Sequence, residues 1–195
     1  MRMNFDLPDS LQKHLLSLPR NLRAHISRVR KIARELAVEH SLNAELADLG
    51  AAAHDVARHL SGGKLLEEAE KLQIPVGEFE RFAPIILHGP VGACWLKKEG
   101  ILSDSGLLEA VYWHTSAHPD LDPIGKVIFI ADKIDPAKVK AYPFQPSVAK
   151  AARGSLDEGV LAFLDGIIKE QVDQHRCIHP MSAHTRNRLI IENSC

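Results

Sequence analysis

Six side chains carry chemistry that is readable before any fold is known: His25, the adjacent pair His54-Asp55, His88, His114 and Asp132. Neutral imidazole and carboxylate together are ligands for iron, manganese or zinc. Singly, each residue is weak evidence. A chain with 11 histidines meets a His-Asp dipeptide readily by chance, and a histidine on an apolar helix face is more often a satisfied core residue than a ligand. Their surroundings change the weighing. His25 shares a helical stripe with Leu22, Val29 and Ile32, and His54 sits beside Ala53 and Ala57. His88 shares a face with Val91, Gly92 and Trp95, His114 lies above Leu107, Ala110 and Val111, and Asp132 continues the face of Ile124, Ile128 and Ala131. Each polar group points where its helix is buried, with no Lys or Arg on the same stripes. Burying such groups without a partner costs several kcal/mol, so the sequence predicts a cation among them. Six groups exceed one tetrahedral site and are enough for two ions with a carboxylate bridging, an arrangement that activates water for phosphoryl transfer.

The elements that must position these groups read at helical period. Asn21–Glu39 carries one apolar stripe; Asn43 caps a second helix running to about Leu60, with Gly62-Gly63 ending it. Shorter helices are expected over Lys64–Leu72, Glu78–Leu87, Val91–Glu99 and Asp104–Thr115, a long one over Ser155–His175, and a last one over Ser182–Ile191. Pro143–Gly154 reads as an irregular surface connection. Lys126–Ala131 (KVIFIA) has the propensity of a strand, but the chain offers no second strand to pair with it, so it is taken as a buried helix. The expectation is an all-α bundle in a single domain over residues 1–195, with a core of about 21–142 and C-terminal helices within 155–191.

Composition closes off other classes. With 195 residues, 45% of them hydrophobic, one domain can bury a substantial core. A net charge of −1 gives no field for holding nucleic acid or an anionic membrane. The longest apolar runs are too short to span a bilayer, and Asp6, Asp9 and two prolines within Met1–Arg20 do not suit a signal peptide. Cys94, Cys177 and Cys195 are scattered, as for reduced thiols in a cytoplasm, and form no zinc knuckle.

At the six ligating positions the chain resembles the HD superfamily of metal-dependent phosphohydrolases, in which an early His, a His-Asp pair, two middle His and a late Asp share one helical scaffold. More narrowly it is similar to the bacterial YqeK family, the symmetrical diadenosine-tetraphosphate hydrolases. The strings are RAHISRVRKIARELA (23–37), AAAHDVARHL (51–60), LHGPVGA (87–93), WHTS (113–116), IADKIDP (130–136), and IHP with RN over 178–187. The resemblance implies that His25, His54, Asp55 and Asp132 hold one ion and that His88 and His114, with Asp55 bridging, hold a second. Iron is the implied metal, and manganese shares the ligands. A metal-activated hydroxide would cleave the tetraphosphate into two ADP, with Asp55, His88, His114 and Lys133 as the catalytic groups. Two departures stand out. Ser116-Ala117-His118 replaces a stretch that usually holds Gly, and Asp135-Pro136-Ala137-Lys138 replaces Glu-Pro followed by Arg. Both are read as lying on the polyphosphate side.

Around the ligands, Arg58, Thr115, Lys133 and Lys138 are candidates to bind substrate phosphates, each weighed against a plain surface role. His59 and His118 read as uninvolved, His14, His40, His175 and His184 as surface, and Trp95 and Trp113 as core. The partner expected is a dinucleoside polyphosphate, with neither nucleic acid nor membrane, and a homodimer stays open. The same site would serve an HD-type hydrolase of a nucleoside mono- or triphosphate or a guanosine alarmone. A non-catalytic metal- or nucleotide-binding regulatory module is the reading from another class.

Overall fold

The computed structural model describes residues 6–194, so Cys195 lies outside the described residues. The described residues form helices and turns with no strand: α1 (Asp9–Ser17), α2 (Arg20–Glu39), α3 (Ala44–Ala53), α4 (Gly62–Lys71), α5 (Glu78–Phe82), α6 (His88–Lys98), α7 (Ser105–Trp113), α8 (Pro123–Lys133), α9 (Gln145–Gly154), α10 (Leu156–Asp173) and α11 (Pro180–Asn193). The all-α expectation holds. Among the described residues no helix is long and apolar enough to cross a membrane.

The ambiguous segment is the centre of the bundle. Asp122 caps α8, its Oδ1 accepting from the Gly125 N–H at 2.6 Å, and Pro123 opens the first turn. Val127 through Ala131 are all fully buried, because α8 is surrounded by α2, α3, α7 and α10. A helix covered on every side shows no polar stripe, which is why its sequence looks like a strand. The main core lies on one side of α8, with Phe129, Val148, Phe163 and Leu164 against Val29 and Ala33 of α2. A second cluster joins Leu11 of α1 to Ala52, Val56, Leu107, Val111 and Ile128. α2 and α3 are also tied by charge: Arg30 grips the fully buried Asp48 with two donors at 2.6 and 3.0 Å, and Arg34 adds a third.

Several boundaries differ from the sequence reading. α3 stops at Ala53 instead of running to Leu60, giving way to successive three-residue turns. Gly62-Gly63 does not end that helix but opens α4, capped by Ser61. Pro143–Gly154 is not irregular: α9 occupies most of it, with Pro146 in its first turn and Val148 and Ala152 buried one turn apart. Glu78–Leu87 is split into α5 and a 3-10 turn at Pro84–Leu87. α1 has no counterpart in the sequence reading; His14 helps to dock it, its Nε2 lying 3.1 Å from the Val56 carbonyl.

Two glycines set distances that the site needs. A Cβ on Gly50 would come within 2.3 Å of the Ile128 Cδ1, so α3 crosses α8 closely. A Cβ on Gly89 would lie 2.6 Å from the Tyr112 carbonyl oxygen, so the start of α6 presses on the end of α7.

Candidate metal centre

Three of the four histidines are placed by one local device. His54 follows the last residue of α3, His114 follows the last of α7, and His88 follows the 3-10 turn and opens α6. At such ends the last carbonyls lack a backbone donor. Each ring donates through Nδ1 to a carbonyl three residues back: His54 to that of Ala51 at 2.7 Å, His114 to that of Val111 at 2.7 Å, and His88 to that of Ile85 at 2.5 Å, which the His88 backbone N–H also reaches. A carbonyl only accepts, so Nδ1 carries the proton and Nε2 presents a lone pair. His25 lies inside α2, and its Nδ1 donates instead to Asp135 Oδ2 at 2.6 Å.

The four Nε2 atoms converge. His88 and His114 approach to 3.0 Å, and His25 and His54 to 3.4 Å. Asp55 stands between the pairs. Its Oδ1 lies 3.0 and 3.5 Å from the Nε2 atoms of His88 and His114, and its Oδ2 lies 3.5 Å from those of both His25 and His54. Asp132 Oδ1 is 3.0 Å from His25 and 3.7 Å from His54. The six sequence candidates are thus brought together, all of them buried. Two sets, His25–His54–Asp55 and Asp55–His88–His114, each hold their ligand atoms within 4.8 Å of one another.

Lone pairs that face one another at these distances repel unless a cation sits among them. Protonation alone meets opposed demands. Burial works against charge on His54, yet Asp55 and Asp132 outweigh it and push that imidazole up to about 10. Burial, with its neighbouring imidazoles, pushes His114 down to about 4. Asp55 and Asp132 stay well below the usual carboxylate range despite burial, the first through His54 and the second through Lys133 and Lys138. Neutral imidazole nitrogens and ionised carboxylates aimed at one space fit a divalent metal.

The surroundings correct part of the sequence reading. Lysines do reach one of the two aspartates: Lys133 Nζ donates to Asp132 Oδ2 at 2.8 Å and to the His114 carbonyl at 3.0 Å, and Lys138 donates to Asp132 Oδ1. Lys133 is buried over the Phe129 and Phe163 rings and is no surface lysine. Arg58 is exposed just after the His54-Asp55 turn, and Thr115 is half-buried beside His114. Thr115 lines a cleft with Glu80, Trp113 and His179, so Trp113 is a cleft wall and not core, and its ring packs on His118 at 4.7 Å.

The Asp135 segment does not simply face a polyphosphate. Asp135 is fully buried, which works against its charge, but both prongs of Arg28, the His25 ring and the Ala137 N–H together hold the carboxyl at about 2. The sequence reading places Asp135 only on the polyphosphate side and does not single out Arg28. The available signals were two spacings of three, from His25 to Arg28 and from Asp132 to Asp135. Within Ser116-Ala117-His118, Ala117 adopts φ 63°, the left-handed region that favours glycine.

The HD domain model matches residues 22–137, a span that holds all six converging side chains. The chain belongs to the HD domain family. This HD domain is 26% identical over 166 residues to a Bacillus subtilis protein named symmetrical bis(5'-nucleosyl)-tetraphosphatase, covering 85% of this chain and 88% of that one. A Staphylococcus aureus protein of the same name is 28% identical over 160 residues, 81% of this chain and 80% of the other. The fold superposes with a TM-score of 0.87 and 28% identity on a Clostridium acetobutylicum crystal structure described as a "predicted HD superfamily hydrolase involved in NAD metabolism", covering 94% of this chain and 97% of that one.

Proposed function

We propose that this HD domain hydrolyses diadenosine tetraphosphate symmetrically, with one water consumed and two ADP released. The observation that carries the reading is the division of the Asp55 carboxylate, one oxygen to each imidazole pair, joined to the names of its relatives in Bacillus subtilis and Staphylococcus aureus. His25, His54, Asp55 and Asp132 would hold one divalent ion, and His88, His114 and Asp55 the other; iron is the proposed metal, with manganese able to use the same ligands. When bound, such a pair supplies an activated water and offsets charge on the phosphoryl group under attack.

The chain's own groups do the rest. Asp55, His88 and His114 hold the reacting side of the site together. Lys133 fixes Asp132 against the end of α7 and adds positive charge beside it. Lys138, whose side chain is 30% exposed, and the exposed Arg58 are placed to meet phosphate oxygens, and Thr115 offers a hydroxyl from the cleft side. We further propose that the protein works in the cytoplasm.

The test is product chromatography after purification without chelator under anaerobic conditions, with ferrous iron and manganese supplied separately. ADP as the sole product is expected. ATP with AMP would mean asymmetric cleavage. Cleavage of a mononucleotide or guanosine alarmone in place of the dinucleotide would transfer the site to that substrate, and a metal-loaded protein without turnover on any of them would be a binding module.

A further inference from the structure

His25 is the exception among the four imidazoles. The other three find an Nδ1 acceptor in their own segment, a backbone carbonyl three residues back at the end of a helix or 3-10 turn. His25 sits in the interior of α2, where the carbonyls of the preceding turn are taken by the helix itself. Its acceptor therefore has to come from elsewhere, and it comes from Asp135, 110 residues further on, just past the end of α8.

Both oxygens of that carboxylate are fixed. Oδ2 accepts from His25 Nδ1 at 2.6 Å and from Arg28 Nη2 at 2.9 Å; Oδ1 accepts from Arg28 Nε at 2.6 Å and from the Ala137 N–H at 3.1 Å. A two-pronged guanidinium fixes the plane of a carboxylate as well as its charge. Arg28 stands one turn beyond His25 on α2, so the clamp closes across α2 and the end of α8. The His88–His114 side has no counterpart among the described residues; both its rings are held by backbone.

We infer that Arg28 and Asp135 are a positioning pair that aims the His25 imidazole at the ion shared with His54 and Asp55, making that ion, and not the one at His88 and His114, dependent on a side-chain clamp. The inference rests on the two-ion reading of the site. Carboxylates that hold a ligating histidine from behind raise its basicity and fix its ring, and losing one weakens metal binding about 10- to 100-fold.

The test is manganese titration of the chelator-stripped full-length protein, followed by electron paramagnetic resonance and metal analysis, for wild type, Arg28→Ala and Asp135→Asn. Thermal melts of the stripped proteins run alongside. Expected is one manganese equivalent weakened about 10- to 100-fold, with the other unchanged. In a His88→Ala background, which keeps only the His25-side ion, Arg28→Ala should weaken the sole remaining equivalent. Asp135→Glu should recover part of the affinity lost in Asp135→Asn. Arg28 has a side chain 40% exposed, so Arg28→Ala tests the idea even if Asp135→Asn fails to fold. Equal weakening of both equivalents with a lowered melt would make the pair structural and overturn the inference, as would unaltered binding. Wild-type protein that takes up no divalent ion would overturn the site reading, and this inference with it.

Discussion

Asp55 touches both imidazole pairs, and each of its oxygens faces a different pair. Asp55→Ala is therefore expected to remove both metal equivalents together, whereas His88→Ala or His114→Ala should remove about one and nearly all turnover. Two ions acting as one clamp lose several orders of magnitude in rate when either is lost. Elemental analysis after gel filtration, with far-ultraviolet circular dichroism as a control for folding, separates these outcomes. Wild-type metal content in Asp55→Ala would sink the assignment. The residue types and their order were legible in the sequence because ligand chemistry is local to the side chain. Which nitrogen of each ring faces inward was not, because that depends on an acceptor behind the ring, an end carbonyl for three of them and Asp135 for the fourth.

Between helices, the site depends on how closely backbones approach. A methyl on Gly89 would meet the Tyr112 carbonyl at 2.6 Å and the Val111 carbonyl at 3.0 Å, with His114 Nδ1 at 3.3 Å; backbone oxygens at a helix end cannot swing aside. Gly89→Ala should thus destabilise the protein by about 1–3 kcal/mol and move His88 away from His114. At Gly50 the nearest atom is the far end of the Ile128 side chain, which can rotate. Gly50→Ala should cost less, and urea denaturation of the two variants gives the ranking. The helices themselves were largely readable, since apolar stripes and caps such as Asn43, Asp122 and Ser155 are local signals. The end of α3 was not, because His54 captures the Ala51 carbonyl and the chain continues in tighter turns. α9 was obscured by Pro146 and by a buried face of only a few small residues.

The molecule as a whole carries its ionisable groups in a way that couples stability to pH and metal. In the chelated protein the His54 imidazole is raised from its ordinary 6.5 to about 10 by Asp55 and Asp132, against the opposing effect of burial. The folded value lies above the unfolded one, so the stability contributed is fully present below 6.5 and is lost as pH rises through 10. His114, pushed down to about 4, is neutral in the folded protein throughout that window, and its unfolded form loses its proton around 6.5, so it adds little above pH 7. The melting temperature of the chelated protein should therefore fall between pH 7 and pH 10. Saturating manganese should flatten that fall, because the ion takes the place of the proton. A melt independent of pH in the chelated protein would show that His54 does not hold that proton.

The sequence by itself determined which six side chains converge, the all-helical class and the absence of a single-sign charge field, since each depends on residue type, short-range periodicity or composition. Tertiary structure decided which cations Asp132 meets. Lys133 and Lys138 follow Asp132 by one and six residues, off its apolar stripe, yet the end of α8 and the turn beyond it fold both ammonium groups back onto that carboxylate. It also decided that Asp135 stands behind a histidine 110 residues earlier in the chain. Periodicity places a side chain on a face of its own helix; only the packing of that helix against others decides what the face meets.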